Sequence, residues 1–274
     1  MLTIDKIFAV IDPTNAKQRT LERAAGLARI VDAKIHAYVS IYSTMETTDQ
    51  EALQQAETHR YEMWMETIVE PVRAQGLEVE TEVAWNKDWR SAIAPAAEAA
   101  GSDLIIKSSR ARSASERLFM KSSDLALFKT ARCPVYLIKA DEVDQTHKVL
   151  IAIDARRDEK KYKNIRDNII EYGRNISSIY DDGDLHAVHS YTDQSAYVHV
   201  TDMEKLTGLD TDHVHVVGAD PEQAIAKIAE EINAQIIIIG LSTKSTLRNR
   251  VFGSTGEWLL NNLNYDLLVI FPDG

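Results

Sequence analysis

The sequence predicts an α/β protein of two tandem doubly wound domains, each built on a five-stranded parallel sheet. Three observations lead there. The chain repeats itself over a length far beyond that of a solenoid unit. Short apolar runs alternate with longer amphipathic stretches. Some runs, such as Ile236-Ile-Ile-Ile239, are apolar at every position, as a strand covered on both faces requires.

The repeat keeps one order. Ile7-Phe-Ala-Val-Ile-Asp12 returns as Val149-Leu-Ile-Ala-Ile-Asp154, and Lys34–Ser40 returns as Asp184–Ser190. Ala92-Ile-Ala94 returns as Ala224-Ile-Ala226, Asp103–Lys107 as Ile236–Gly240, and Pro134–Ile138 as Asp266–Ile270. This places one domain at residues 1–142 and the other at 147–274, with the polar, aperiodic stretch 140–147 as linker.

In the first copy the strand-length runs are Ile7–Ile11, Lys34–Ile41, Val79–Val83, Leu104–Ile106 and Val135–Ile138. Helical periodicity covers Arg19–Val31, where Leu21, Ala24, Ala25, Leu27 and Ala28 make an apolar stripe, and then 50–75, 89–100 and 122–130. Strands alternating with helices imply right-handed βαβ units. The second copy departs between its second and third strands. Tyr191–Thr211 leaves room only for a short helix over Val200–Leu206 or an irregular loop.

The 274 residues carry 31 basic and 42 acidic side chains, a net charge of −11, which argues against a general nucleic-acid binder. No apolar run approaches the roughly 20 residues of a membrane span. The polar start shows no signal peptide, and the single cysteine, Cys133, fits a reducing compartment, so a cytoplasmic protein is expected.

In an open doubly wound sheet, ligands bind beyond the carboxyl ends of the strands where strand order reverses. In the second copy that point is marked by Asp154 and by Gly240-Leu-Ser-Thr243. A basic segment follows, then Phe252-Gly-Ser-Thr-Gly256 at the start of a helical pattern. Free N–H groups and hydroxyls at Gly253, Ser254 and Thr255 suit an anion. Asp154 suits a ribose hydroxyl or a phosphate-bound metal; its plainer role is to cap the turn. The cluster's plainer role is an N-cap.

Gly240-x-x-Thr243, nine residues, then Gly253-Ser254 resembles the phosphate-binding signature of the universal stress proteins. The tandem layout, Val10-Ile-Asp-Pro13, Cys133-Pro-Val135 and the ending Asp266–Gly274 resemble the class called universal stress protein E. The resemblance implies the adenine-nucleotide alpha-hydrolase-like fold and a stress-response role. It also implies an adenine nucleotide such as ATP, with Mg, in the second domain. Asp154, Val188, Gly240, Thr243, Gly253, Ser254 and Thr255 are the binding residues it implies. The two domains are expected to pair within the chain, with ligand occupancy biasing contact with a protein partner. The alternative is a nucleotide-free carrier or scaffold with an apolar molecule between the domains.

Two departures from the signature matter. Thr243 stands where the family has a second glycine. In the first copy the signature is lost, its equivalents being Lys107, Arg110, Met120 and Lys121, so that copy is expected to bind no nucleotide.

His213 and His215 alternate on one strand and project to one face, a geometry open to metal. No HExxH or Cys-His spacing accompanies them, and a half-exposed polar stripe is the plainer reading, so no metal site is expected. His36 and His186 match in position and read as structural. Tyr61, Trp64 and Met65 read as packing along a helix, and Cys133 as an inert thiol. No nucleophile–base set, carboxylate pair or P-loop is recognisable, so an enzyme is not indicated.

Overall fold

The computed structural model describes residues 4–45, 47–109, 123–139, 147–156, 160–241 and 254–271. They fall into two compact units: 4–109 with 123–138, and 139 with 147–271.

The N-terminal unit runs β1 (Lys6–Val10), α1 (Arg19–Val31), β2 (Lys34–Ile41), α2 (Gln50–Arg73), β3 (Val79–Trp85), α3 (Trp89–Ala99), β4 (Leu104–Ser108), α4 (Ser123–Thr130) and β5 (Val135–Ile138). The C-terminal unit runs β6 (Lys148–Ala152), α5 (Lys160–Ser177), β7 (Asp184–Ser190), α6 (Val200–Thr207), β8 (Val214–Val217), α7 (Pro221–Ile232), β9 (Ile236–Gly240), α8 (Ser254–Asn262) and β10 (Asp266–Ile270). The strand orders are β3-β2-β1-β4-β5 and β8-β7-β6-β9-β10, and every pairing within each unit is parallel.

Each core forms where the central strands meet their helices. Ile7, Phe8 and Ala9 of β1 and Ile237 and Ile238 of β9 are fully buried. Each buried Ile or Phe side chain contributes about 1.5–3 kcal/mol by leaving water. The stripe on α1 buries Leu21, Ala24, Ala25 and Ala28, and the helix ends at Asp32 in the left-handed region. Asp49 caps α2 by accepting from the Ala52 N–H at 2.9 Å. That long helix buries Met65, Val69 and Val72, while Tyr61 and Trp64 meet edge to face at 5.9 Å.

The C-terminal unit has no equal of α2. Its short α6 stops at Gly208, whose φ of 68° an L side chain rarely adopts, and 3-10 turns flank it at Gln194–Ala196 and Thr211–His213. Among the described residues, no helix is long and apolar enough to cross a membrane.

Hydrogen-bond register fixes how the copies correspond. Ile7 pairs with Leu104, as Val149 does with Ile236; Ser108 pairs with Ile138, as Gly240 does with Ile270. Gly240 therefore corresponds to Ser108, and Lys107 to Ile239. The sequence match of Asp103–Lys107 to Ile236–Gly240 is one residue out of step, because an unbroken apolar run offers no internal marker of register.

Candidate functional site

The chain leaves β6 toward β7 and later returns to β9 on the other side of β6, so strand order reverses between β6 and β9. The loops beyond their carboxyl ends diverge there. In the C-terminal unit they leave a crevice of about 290 Å³. The ends of β6 (Ala152–Asp154), β7 (Val188–Ser190) and β9 (Ile239–Leu241) form its floor. Pro221 and Ile225 of α7 and Thr255, Gly256 and Leu259 of α8 form its walls. A hollow of about 410 Å³ extends past Asp154 toward Arg156, Tyr191 and Ala196, sharing Asp154, His189, Ser190 and Pro221 with the crevice.

Four of the expected residues, Asp154, Val188, Gly240 and Thr255, thus line one crevice. Ser254 opens α8. Thr243 and Gly253 lie outside the described residues, as do Arg110, Met120 and Lys121 of the first copy.

Gly240 has a packing reason to be glycine. A Cβ there would lie 2.9 Å from Ile169 Cδ1 and closer still to Ile165 Cγ2, both on α5. The helix crosses the end of β9 too closely for a side chain. This requirement exists with or without a ligand, so the glycine alone is weaker evidence of a phosphate site than its spacing implied.

Asp154 stands exposed after β6, and its Oδ1 accepts from the Arg156 N–H at 3.2 Å. Thr255 Oγ1 donates to Glu222 Oε2 at 3.0 Å. A carboxylate therefore sits beside a hydroxyl that the sequence assigned to phosphate.

His189 was missed by the sequence reading. It is 2% exposed and lines both hollows. Its Nε2 lies 3.2 Å from Ala196 O, and the Ala155 N–H points to its Nδ1 at 3.4 Å. Its Nδ1 also lies 3.3 Å from Ile153 O, and the contacts to Ile153, Ala155 and Ala196 together pin the turn that carries Asp154. The switch-point rule extends to it, one residue past Val188, since β7 also ends at the crevice.

In the N-terminal unit the corresponding positions are filled by the unit's own side chains. Ala131 N–H bonds Leu127 O as Leu263 N–H bonds Leu259 O. Leu127 thus corresponds to Leu259, and the offset of 132 positions equals that between Ser108 and Gly240 (259 − 127 and 240 − 108). Ile239, Leu241 and Gly256, which line the C-terminal crevice, become Lys107, Ser109 and Asp124. Lys107 Nζ lies 2.8 Å from Asp124 Oδ1, and Ser109 Oγ donates to Asp124 Oδ2 at 2.7 Å. Only 10% of the lysine side chain and 5% of the aspartate side chain remain exposed. Val188 becomes Tyr38, which is buried against Phe8. Asp12, the partner of Asp154, accepts from Thr14 N–H, Thr14 Oγ1 and Asn15 Nδ2 at 2.6–2.9 Å.

Elsewhere, burial and the charge of Asp103 push the Cys133 thiol up to about 12, so it stays protonated at neutral pH and is no nucleophile.

A sequence profile described as the universal stress protein family matches residues 3–139 and 175–270. The chain is 24% identical to universal stress protein E of Escherichia coli K12, over 100% of this chain and 96% of that one. It is 22% identical to the universal stress protein E homolog of Haemophilus influenzae, over 97% of each. A universal stress protein of Archaeoglobus fulgidus has the same fold, with a TM-score of 0.77 at 22% identity over 97% of this chain and 96% of that one. So does a functionally unknown protein of Pseudomonas aeruginosa PAO1, with a TM-score of 0.79 at 22% identity over 98% and 93%.

Proposed function

The chain belongs to the universal stress protein family, and we propose that its C-terminal unit binds an adenine nucleotide in the crevice between β6 and β9. Occupancy then biases contact with a protein partner during a stress response. The observation that carries this reading is the meeting of Asp154, Val188, Gly240 and Thr255 around one crevice at the switch point. Val188, Ile225 and Ile239 offer apolar surface to a base. Asp154 offers an acceptor for a ribose hydroxyl, or an oxygen ligand for a Mg ion that arrives with the phosphates. The N–H groups at the start of α8 point toward developing or fixed negative charge, as at any helix N-terminus. The N-terminal unit binds no nucleotide, because Lys107, Asp124 and Tyr38 occupy the corresponding space.

Isothermal titration of the full chain with Mg-ATP tests this. One site per chain is expected. A charge-assisted hydrogen bond to a carboxylate is worth roughly 1.5–3 kcal/mol, so Asp154→Ala should weaken binding by about ten- to a hundredfold. Asp12→Ala should leave it unchanged. Two sites per chain, or an Asp154→Ala variant that binds like the parent, would refute the assignment. If the parent takes up no ATP at millimolar concentration, the apolar wall of the crevice favours a carrier of a small apolar molecule. Mass spectrometry of ligand released from the native protein identifies that molecule.

A further inference from the structure

At the opposite, amino end of the C-terminal sheet, two strands bring four polar side chains together. Asp184 and His186 lie two apart on β7, His213 closes the turn before β8, and His215 lies on β8. Alternation in the sequence pairs His213 with His215. In the folded unit both instead approach β7. Asp184 Oδ1 is 3.0 Å from His213 Nε2, and Asp184 Oδ2 is 3.0 Å from His186 Nε2. One ligand atom each from Asp184, His186 and His213 all lie within 4.8 Å of one another. Behind them, His186 Nδ1 is 3.1 Å from His215 Nε2.

We propose that Asp184, His186 and His213 form a binding site for a divalent first-row transition cation of the zinc class. Two imidazoles and one carboxylate are a donor set that zinc accepts, leaving a fourth position for water. Around a tetrahedral ion with bonds of about 2.0–2.1 Å, neighbouring donor atoms lie about 3.3 Å apart. Asp184 meets His186 through Oδ2 and His213 through Oδ1, and one donor atom from each residue lies within 4.8 Å of the others, so side-chain rotations that draw the wider separations in toward this spacing would admit the ion. With Nε2 of His186 on the metal, its Nδ1–H donates to His215 Nε2, an outer contact that fixes the ring's tautomer and orientation. His213 has 38% of its side chain exposed and gives the ion a way in. Lys148 Nζ stands 3.8 Å from Asp184 Oδ2, a loose competitor with 37% of its side chain in solvent.

The N-terminal unit provides a natural contrast. Register places Glu80 and Glu82 where the C-terminal unit has His213 and His215, and Lys34 where it has Asp184. There His36 Nε2 meets Glu82 Oε2 at 2.8 Å and Lys6 meets Glu80 at 3.4 Å, so a single imidazole sits between two carboxylates. Among the described residues, only the C-terminal unit sets two imidazoles on one carboxylate with a third imidazole behind them.

Zinc titration of the full chain against a chromophoric chelator, with cobalt(II) absorption as a second readout, tests the site. One equivalent per chain and four-coordinate cobalt bands are expected. Asp184→Asn and His213→Ala should each weaken binding at least about tenfold, the loss typical even of an outer-contact substitution. His36→Gln should change nothing. Circular dichroism of each variant checks that it remains folded, and Asp184→Asn preserves the side-chain shape. No zinc uptake by the parent, or uptake that survives both substitutions, overturns the proposal.

Discussion

The two units share strand order, register and the aspartate after the first strand, yet they treat the switch point differently. In the C-terminal unit Ile239, Leu241 and Gly256 leave a crevice. In the N-terminal unit Lys107, Ser109 and Asp124 stand at the same positions and bond to one another. Taking two charges out of water is costly, and their attraction repays it only when the geometry is good and the remaining polar atoms find partners. Here Lys107 Nζ also donates to Ser108 O at 2.8 Å, and Ser109 satisfies the second carboxylate oxygen. Strand ends that leave a crevice in one copy are thus filled in the other by exchanged side chains on the same strand order.

That contrast breaks most visibly at Asp124. Asp124→Ala leaves the buried Lys107 ammonium without its carboxylate, which costs about 3–5 kcal/mol when a buried pair loses one member. Urea denaturation should show the loss in the transition of the N-terminal unit. The triple variant Lys107→Ile, Ser109→Leu, Asp124→Gly installs the side chains of the other copy and removes both charges together. It should be more stable than Asp124→Ala, despite about 1 kcal/mol lost to a glycine in α4. A triple variant less stable than the single one would mean that the network is not what closes this site.

A smaller effect separates packing from binding at Gly240. Gly240→Ala pushes a methyl group into Ile165 and Ile169, and overpacking of this kind costs about 1–3 kcal/mol. Ile165→Ala added to it should restore part of the stability by vacating the space. If Gly240→Ala melts like the parent but fails to bind nucleotide, the glycine serves the ligand rather than the helix. In the N-terminal unit the matching Ser108 is tolerated because its hydroxyl meets Thr20 Oγ1 of α1 at 2.9 Å.

What could be read from the sequence follows from where the free energy resides. Strands such as Ile236–Ile239 announce themselves because burial on both faces demands apolar side chains at every position. The short helix at Val200 was legible too, ending one residue later than its periodicity indicated. Register was not legible, since Leu104-Ile-Ile106 reads the same when slid by one residue. It was this slip that hid the equivalence of Lys107 with Ile239. The Lys107–Asp124 pair was invisible for a different reason: a buried lysine is foreseen only through its partner, and 17 residues of chain separate the two. At the crevice, Asp154 and Gly240 were found by the switch-point rule. His189 was missed although it directly follows Val188. The histidine cluster could not be assembled at all, because cross-strand neighbours depend on the pairing of β7 with β8.

The smallest expected effect concerns Glu222, a carboxylate beside the crevice wall that opposes the proposed ligand. Glu222 lies in the first turn of α7, where a carboxylate is favoured by the helix dipole, and it accepts the Thr255 hydroxyl at 3.0 Å. A nucleotide phosphate near Thr255 would meet this negative charge. Two like charges roughly 6 Å apart in water repel by about 0.7 kcal/mol, which corresponds to about threefold in affinity. Glu222→Gln keeps an acceptor for Thr255 Oγ1 and removes the charge, so Mg-ATP should bind about threefold more tightly to it, and the gain should shrink as salt screens the repulsion. An uncharged apolar ligand should be indifferent to the same substitution. Titrating this variant at low and high salt therefore distinguishes a phosphate beside α8 from any occupant of the crevice that carries no charge.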